Sequence, residues 1–399
     1  KRQLEHDPVV EVPPRRELGD LAFPAALHLA RELRRKPRDI ATELADGLEL
    51  PSFVEEVRVE GAGYLNFFFD RGAVASRLLT DSWAAGEASR PDKAIVEHTN
   101  INPNKAAHIG HLRNAVLGDS LVRALVWLGY PVEIQNYIDD TGVQLADVVV
   151  GFVDLRQMDL EEVARLPEPF DYYCWDLYSE VGRWFEEDPE RQALRRQTLH
   201  QLERGEGERA EIGRLVSRRV VRRHLATMAR IDVSYDLLTH EAAILGLDFF
   251  STAFEQLKRN GAIRLESEGK NAGCWVMPLS ASEEFAGLED PDKVIVRSDG
   301  TVTYVGKDIA YTLWKFGLLG KDFFYLPYHR YESGREAWVS STKAGEEKPP
   351  EFGAGDGVFN VIDVRQSYLQ DVVKAGLVAL DYKAQAEKFI HFSYEMVAL

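Results

Sequence analysis

The run IVEHTNINPNKAAHIGHLR at residues 95–113 leaves few folds open to a 399-residue chain. Residues 95–99 are β-rich, and residues 100–107 form a polar loop containing Pro103. From His108 the spacing turns helical, with Ile109, Leu112, Val116 and Leu117 on one face. A second β-rich run covers Val132–Ile138, so the order is strand, loop, helix, strand. In a parallel sheet such a crossover sets the loop and the helix N-terminus at the carboxyl edge of the strands, where α/β proteins bind ligands. Unpaired N–H groups there favour phosphate. His108 and His111 share one helical face at that end. Gly110 between them has no Cβ, leaving room for a flat ring against the backbone. The unit predicts a nucleotide site.

His108-Ile109-Gly110-His111 resembles the HIGH signature of class I aminoacyl-tRNA synthetases. The flanking Asn102-Pro103-Asn104-Lys105 and Leu112-Arg113-Asn114-Ala115 resemble the arginyl-tRNA synthetase version of it. Two later strings agree, Asn136-Tyr137-Ile138-Asp139-Asp140-Thr141-Gly142 and Asp308-Ile309-Ala310-Tyr311-Thr312-Leu313-Trp314-Lys315-Phe316. A lone HxGH equally suits a metal pair or a surface accident; four linked strings in order are specific. The resemblance implies an α/β fold: a Rossmann-like catalytic domain with a parallel sheet and insertions, preceded by a small α+β domain.

Composition bounds the partners. The chain is 45% hydrophobic with interspersed polar stretches, and no run approaches the roughly 18 apolar residues of a membrane helix. No charged-then-apolar leader opens it, and the absence of Met at Lys1 predicts an incomplete N-terminus. Cys174 and Cys274 make no metal or redox pattern and are expected as small buried hydrophobes in a reducing cytosol. A net charge of −17 argues against indiscriminate coating of nucleic acid. Screening over about 8–10 Å still lets a local basic face act alone.

Residues 1–88 predict a separate α+β module. Its amphipathic helix carries Leu27, Ala30 and Leu33 inward and Arg31, Arg34 and Arg35 outward, and Pro37 ends it. Val54, Val57 and Val59, a Gly61-Ala62-Gly63 turn and a strand-like Tyr64–Phe69 run follow. The resemblance makes this the domain that contacts the tRNA elbow. From charge alone its arginines read as a solvated face sooner than as phosphate holders, and its phenylalanines as core sooner than as stacking platforms. Residues 87–92 predict a linker, and residues 89–399 the catalytic domain, with insertions at about 150–213 and 246–300. The first insertion is acidic and helical and is expected to pack on the sheet, with Trp175, Tyr178, Trp184 and Phe185 as core. Arg214, Arg218, Arg219, Arg222, Arg223 and Arg230 follow without an acidic interruption, the best basic candidate for nucleic acid or a set of internal ion pairs. The sheet is expected to resume at residues 302–305, before a helix over 307–316. Residues 330–357 predict a polar loop, and a last strand covers Phe389–Tyr394.

Activation of an amino acid is attack of its carboxylate on the α-phosphorus of ATP, which asks for positioned donors and cations rather than a nucleophile. Lys105, His108 and His111 fit that task, with Asn104 and Gly110 beside the nucleotide. No KMSKS string occurs; the resemblance implies that Lys105, just before HIGH, substitutes for it. A guanidinium needs carboxylates and amides set around its plane. The resemblance assigns Asp308 and Tyr304 to it, with Gln366 beside them. It gives Glu97, Asn100 and Asn102 the α-amino and carboxylate ends of arginine, although Asn100 stands where the family often has serine. From the residues alone, Asp308 reads as a helix-dipole partner. Asp139 and Asp140 suit Mg²⁺, ribose hydroxyls or a plain turn.

The implied activity is arginyl-tRNA synthetase, with L-arginine, ATP and tRNA(Arg) as substrates and Mg²⁺ arriving with the ATP, not on a dedicated protein site. The implied protein is cytoplasmic and monomeric. The family's helical anticodon-binding domain is missing from this chain. Two other readings remain open: a truncated paralogue that binds RNA or adenylylates another substrate, and a nucleotidyltransferase sharing only HxGH, against which the first eighty residues count.

Overall fold

A computed structural model describes residues 10–80, 90–279, 285, 291–300 and 302–395. The chain divides into two compact units, Lys1–Ala85 and Gly86–Leu399. The residue 88/89 boundary and residues 87–89 of the expected linker lie outside the described residues.

In the first unit β1 (Leu21–Phe23), β2 (Val54–Glu60) and β3 (Tyr64–Phe69) form an antiparallel sheet in the order β1-β3-β2. Helices α1 (Ala25–Leu33) and α2 (Pro37–Asp46) bury Ala26, Ile40 and Ala41 beside Leu65, and α3 (Arg71–Thr80) follows. Pro37 does more than end a helix. It stands at the first position of the second one, where its missing N–H costs nothing. Leu33 is 40% exposed rather than inward, and the Arg58 guanidinium covers the Phe68 ring at 4.1 Å.

The second unit opens with β4 (Ala94–Glu97), α4 (Ile109–Trp127), β5 (Val132–Ile138) and α5 (Val143–Val150). Helices α6 (Leu160–Arg165), α7 (Phe170–Glu187), α8 (Gln192–Arg204) and α9 (Gly207–Ala229) lead to β6 (Leu237–His240), α10 (Glu241–Gly246) and α11 (Phe249–Arg259). A small sheet of β7 (Arg264–Leu265), β8 (Trp275–Met277) and β9 (Lys293–Val296) precedes α12 (Tyr304–Lys315). Then come β10 (Phe324–Arg330), β11 (Glu336–Ser341), β12 (Gly357–Asp363), α13 (Ser367–Ala379), α14 (Lys383–Glu387) and β13 (Phe389–Tyr394). The main sheet runs β10-β11-β6-β5-β4-β12-β13; every pairing is parallel except that of β10 with β11.

Several local expectations are corrected. Residues 304 and 305 open α12 and do not continue a strand, because Val305, Ile309 and Leu313 bury one helical face. The expected loop at 330–357 contains β11, whose Ala337 and Trp338 are buried. On α4 the stripe of Ile109, Leu112 and Val116 is exposed, and Asn114, Ala115, Gly118 and Val122 are buried instead. Close approach decides this: a Cβ at Gly118 would sit 2.3 Å from His98 Cγ, so the buried face is the one with small residues. The first insertion has its own core, in which Val163, Cys174, Leu177 and Val181 pack on Val148 and Val149 of α5 and Val216 and Val220 of α9. None of that cluster comes from the sheet, so the insertion packs on helices. Cys174 is buried as expected, whereas Cys274 is partly exposed.

Candidate active site

The strand order places the ends of β4, β5, β6 and β12 side by side, and two connected features sit on that edge. One is a cavity of about 530 Å³ lined by Glu97, Asn100, Asn102, His111, Asp308 and Gln366 together with Tyr137, Asp139, Tyr311 and Lys315. The other is a smaller pocket of about 150 Å³ between Asn102, Asn104, Lys105, His108 and His111. Asn100, Asn102 and His111 border both.

The histidine pair is built by the start of α4. His108 caps the helix in extended conformation, and its Nδ1 accepts the Gly110 N–H at 3.2 Å. His111 Nδ1 accepts the His108 N–H at 3.2 Å. Each Nδ1 is an acceptor, so each ring carries its proton on Nε2 and presents a neutral donor. Burial, then His108, His224 and Lys105, push His111 down to about 3. Burial and Lys105 also lower His108. A Cβ on Gly110 would come within 3.1 Å of His108 Cε1, so the glycine clears the ring.

Lys105 lies 5.5 Å from the Trp175 ring centroid and 5.3 Å from that of Tyr178. Of the aromatics expected in the core, Phe185 is part of the insertion's core and Tyr178 and Trp184 pack against it; Trp175 does not, and meets His108 edge-on at 6.1 Å. His224 on α9 sits with Nε2 2.7 Å from the Lys105 carbonyl oxygen, fixing the loop. Burial lowers the Lys105 pKa. Asn104 is fully buried, yet both its amide nitrogen and oxygen lack a partner. An amide left unsatisfied in the interior is costly unless a ligand completes it.

The other end of the cavity is acidic. Asp308, Tyr311, Thr312 and Lys315 recur along one face of α12 and all line it. Asp308 is pushed up to about 7, by burial first and then by Glu241 and Glu97, against Lys315 and Lys307. Asp139 is likewise raised to about 7 by burial, Glu241 and Asp140. Glu241 accepts from Tyr137, Thr141 and Lys307 at 2.8, 2.6 and 2.6 Å. Two strained carboxylates facing one void suit a cationic ligand.

The carried-over residues fare differently. Glu97 is buried, with Lys315 Nζ 2.8 Å from its Oε2 and the Asn100 amide donating to its Oε1 at 2.9 Å. Asn100 lines the cavity but is engaged as a clamp: its Oδ1 accepts the Tyr137 N–H at 2.8 Å, and its own N–H reaches Asn136. Thr99 and Asn100 hold φ values of 77° and 45° to make that turn. Gln366 stands exposed at the rim. Tyr304 is 58% exposed, its hydroxyl 3.4 Å from Lys293 Nζ, and it is not among the lining residues. Sequence reading missed Glu241 and Lys315 as site residues. The helical spacing of Lys315 from Asp308 was a usable signal; Glu241 follows a strand too short to stand out.

Residues 1–69 match the family described as "Arginyl tRNA synthetase N terminal domain", and residues 73–322 that described as "tRNA synthetases class I (R), catalytic domain". The chain belongs to the class I arginyl-tRNA synthetase family. It is 40% identical to the arginine–tRNA ligase of Pyrococcus abyssi over 96% of its own length and 62% of that protein. The arginine–tRNA ligase of Thermus thermophilus is 39% identical, over 97% and 61%. The solved arginyl-tRNA synthetase of Thermus thermophilus superposes with a TM-score of 0.78 at 36% identity, covering 97% of this chain and 62% of that one. This arginyl-tRNA synthetase family member therefore spans about six-tenths of the length of the relatives it matches.

Proposed function

We propose that the chain activates L-arginine with ATP and passes the arginyl group to tRNA(Arg). One observation carries the reading: a single cavity holds both His111 and Asp308, so a ligand seated on the carboxylates has its other end at the histidines. Asp308, with Asp139 behind it, takes the guanidinium, which supplies the cation that both lack. Glu97 and Asn102 border the α-amino and carboxylate end, with Asn100 shaping the floor. Gln366 acts from the rim, whereas Tyr304, which does not line the cavity, takes no part in the pocket.

The arginine carboxylate oxygen attacks the α-phosphorus, a new P–O bond forms, and the bond to the β-phosphate oxygen breaks, releasing pyrophosphate. Negative charge grows on the phosphoryl oxygens, and the Nε2–H groups of His108 and His111 with the Lys105 ammonium are preorganised to receive it. Asn104 and the glycine gap at Gly110 seat the nucleotide. Mg²⁺ accompanies the ATP phosphates and neutralises part of their charge. In the second half-reaction a ribose hydroxyl at the tRNA 3′ end attacks the arginyl carbonyl and AMP leaves. No helix among the described residues is long and apolar enough to cross a membrane; a cytoplasmic monomer fits this reading. Arginine-dependent ATP–pyrophosphate exchange, assayed with and without tRNA, tests it. Exchange that does not depend on arginine would overturn it.

A further inference from the structure

The loop that carries Lys105 has little backbone support of its own. The Asn104 N–H donates to the Asn102 carbonyl at 2.8 Å, and the next such bonds belong to the start of α4. Between them, among the described residues, the backbone of residues 105–107 makes one hydrogen bond. It joins the Lys105 carbonyl oxygen to His224 Nε2, 2.7 Å away and 119 positions later in the chain. A peptide group turned inward needs a partner, so the peptide after Lys105 is held where that imidazole stands.

In this contact the imidazole must be the donor. A carbonyl oxygen offers no proton, so the His224 proton sits on Nε2. His224 is buried, and burial pushes its pKa down to about 4 against the pull of the Lys105 carbonyl and of Asp171. At neutral pH it is an uncharged donor. Its own place is set from outside the loop. Helix α9 carries it, and the adjacent Arg223 pairs with Asp171 of α7 at 3.5 Å. The same α7 presents Trp175 and Tyr178, whose rings flank the Lys105 ammonium at 5.5 and 5.3 Å. Both ends of Lys105 are thus held by α7 and α9, the carbonyl by an imidazole and the ammonium by two rings. His108 and His111 are set instead by the backbone at the start of α4. The cation and the imidazoles of one pocket take their positions from different parts of the chain.

We propose that His224 is a positioning residue for the Lys105 ammonium, and that through it α7 and α9 align this cation with the two histidines. The proposal rests on the reading above in which Lys105 meets the charge growing on the phosphoryl oxygens. His224 lines neither the large cavity nor the small one. It acts on the reaction only through the peptide it holds, so its loss falls on kcat and leaves the affinities for ATP and arginine in place.

The test is arginine-dependent ATP–pyrophosphate exchange in the presence of tRNA, with kcat and the KM values for ATP and arginine measured separately. His224→Phe keeps a ring and removes the donor. Its kcat is expected to fall about ten- to a hundredfold with both KM values little changed, the cost of a small misplacement at the reacting centre. His224→Gln sets an amide N–H near the place of Nε2 and is expected to return kcat close to the wild-type value. His224→Asn, whose amide stops short of the carbonyl, is expected to behave as His224→Phe and replaces it should the ring variant fail to fold. In a Lys105→Ala background, losing the His224 donor is expected to cost nothing further, because residues acting through one group are not additive. Full kcat in a folded His224→Phe or His224→Asn variant would overturn the proposal, as would a His224→Gln variant as slow as they are. An equal loss with and without Lys105 would overturn it too, marking a role in the fold at large. If Lys105→Ala by itself leaves kcat unchanged, the catalytic reading of Lys105 fails and the proposal with it. If Lys105→Ala is slow and the His224 variants are not, that reading stands and the positioning alone is refuted.

Discussion

The His108 and His111 rings stack with centroids 3.7 Å apart and planes 22° off parallel, each accepting a backbone N–H on Nδ1. Two imidazoles this close cannot both be charged without strong repulsion, and burial already disfavours the first proton on His111. The pair is therefore a fixed set of neutral donors, not an acid–base couple. NMR is expected to show Nε2–H tautomers for both rings, and no titration of His111 between pH 5.5 and 8. His111→Ala is expected to lower kcat by about 10²–10³.

On the proposed reading Lys105 is the cation that meets the phosphate, and the Trp175 and Tyr178 rings flank it. Lys105→Ala is expected to lower kcat by about 10²–10³ while leaving arginine binding in place. Trp175→Leu removes one aromatic face, worth about 0.5–1 kcal/mol. It should reduce kcat/KM for ATP about two- to fivefold, measured in steady-state exchange. An unchanged value would show that the ring only fills space.

Asn104 separates binding from stability. Its amide has no partner in the folded chain, so Asn104→Ala forfeits no hydrogen bond there. Thermal unfolding is expected to hold its midpoint or rise, while ATP affinity by calorimetry falls about tenfold. A large drop in Tm would show that the amide supports the loop instead.

Asp308 couples stability to pH with a defined sign. Its folded pKa, about 7, lies above the unfolded value near 3.8. Between those values the folded state holds more protons than the unfolded state, so stability falls as pH rises. Asp308→Asn removes that charge. Its Tm is expected to exceed the wild type at pH 8, by about 2–4 °C per kcal/mol recovered, and the gap should narrow toward pH 4. The arginine KM of the same variant should rise by two orders of magnitude or more.

Much of the catalytic edge was legible because it is local. The crossover from residue 95 to Ile138 is one contiguous unit, and β5 and β13 fall where alternation and β-propensity put them. What stayed hidden depends on contacts distant in sequence. β6 is four residues long and declares itself only between β5 and β11. The exposed stripe on α4 reads as buried until Gly118 is seen against His98. Trp175 reads as helix core because nothing near it in sequence names Lys105 as its neighbour, and Tyr178, which does pack on that core, gives no sign in sequence that it also faces Lys105. Asp308 carried an ambiguous signal, since a helix-start aspartate is ordinary; only the shared cavity with His111 gives it a partner.

The central claim is that the acidic end and the histidine end of one cavity serve one reaction. The most direct measurement is ATP–pyrophosphate exchange in the presence of tRNA, with arginine, lysine and canavanine, comparing wild type with Asp308→Asn. The account predicts exchange with arginine, much less with lysine, and loss of the arginine response in the variant at unchanged ATP affinity. Exchange with the same arginine dependence in Asp308→Asn would contradict it.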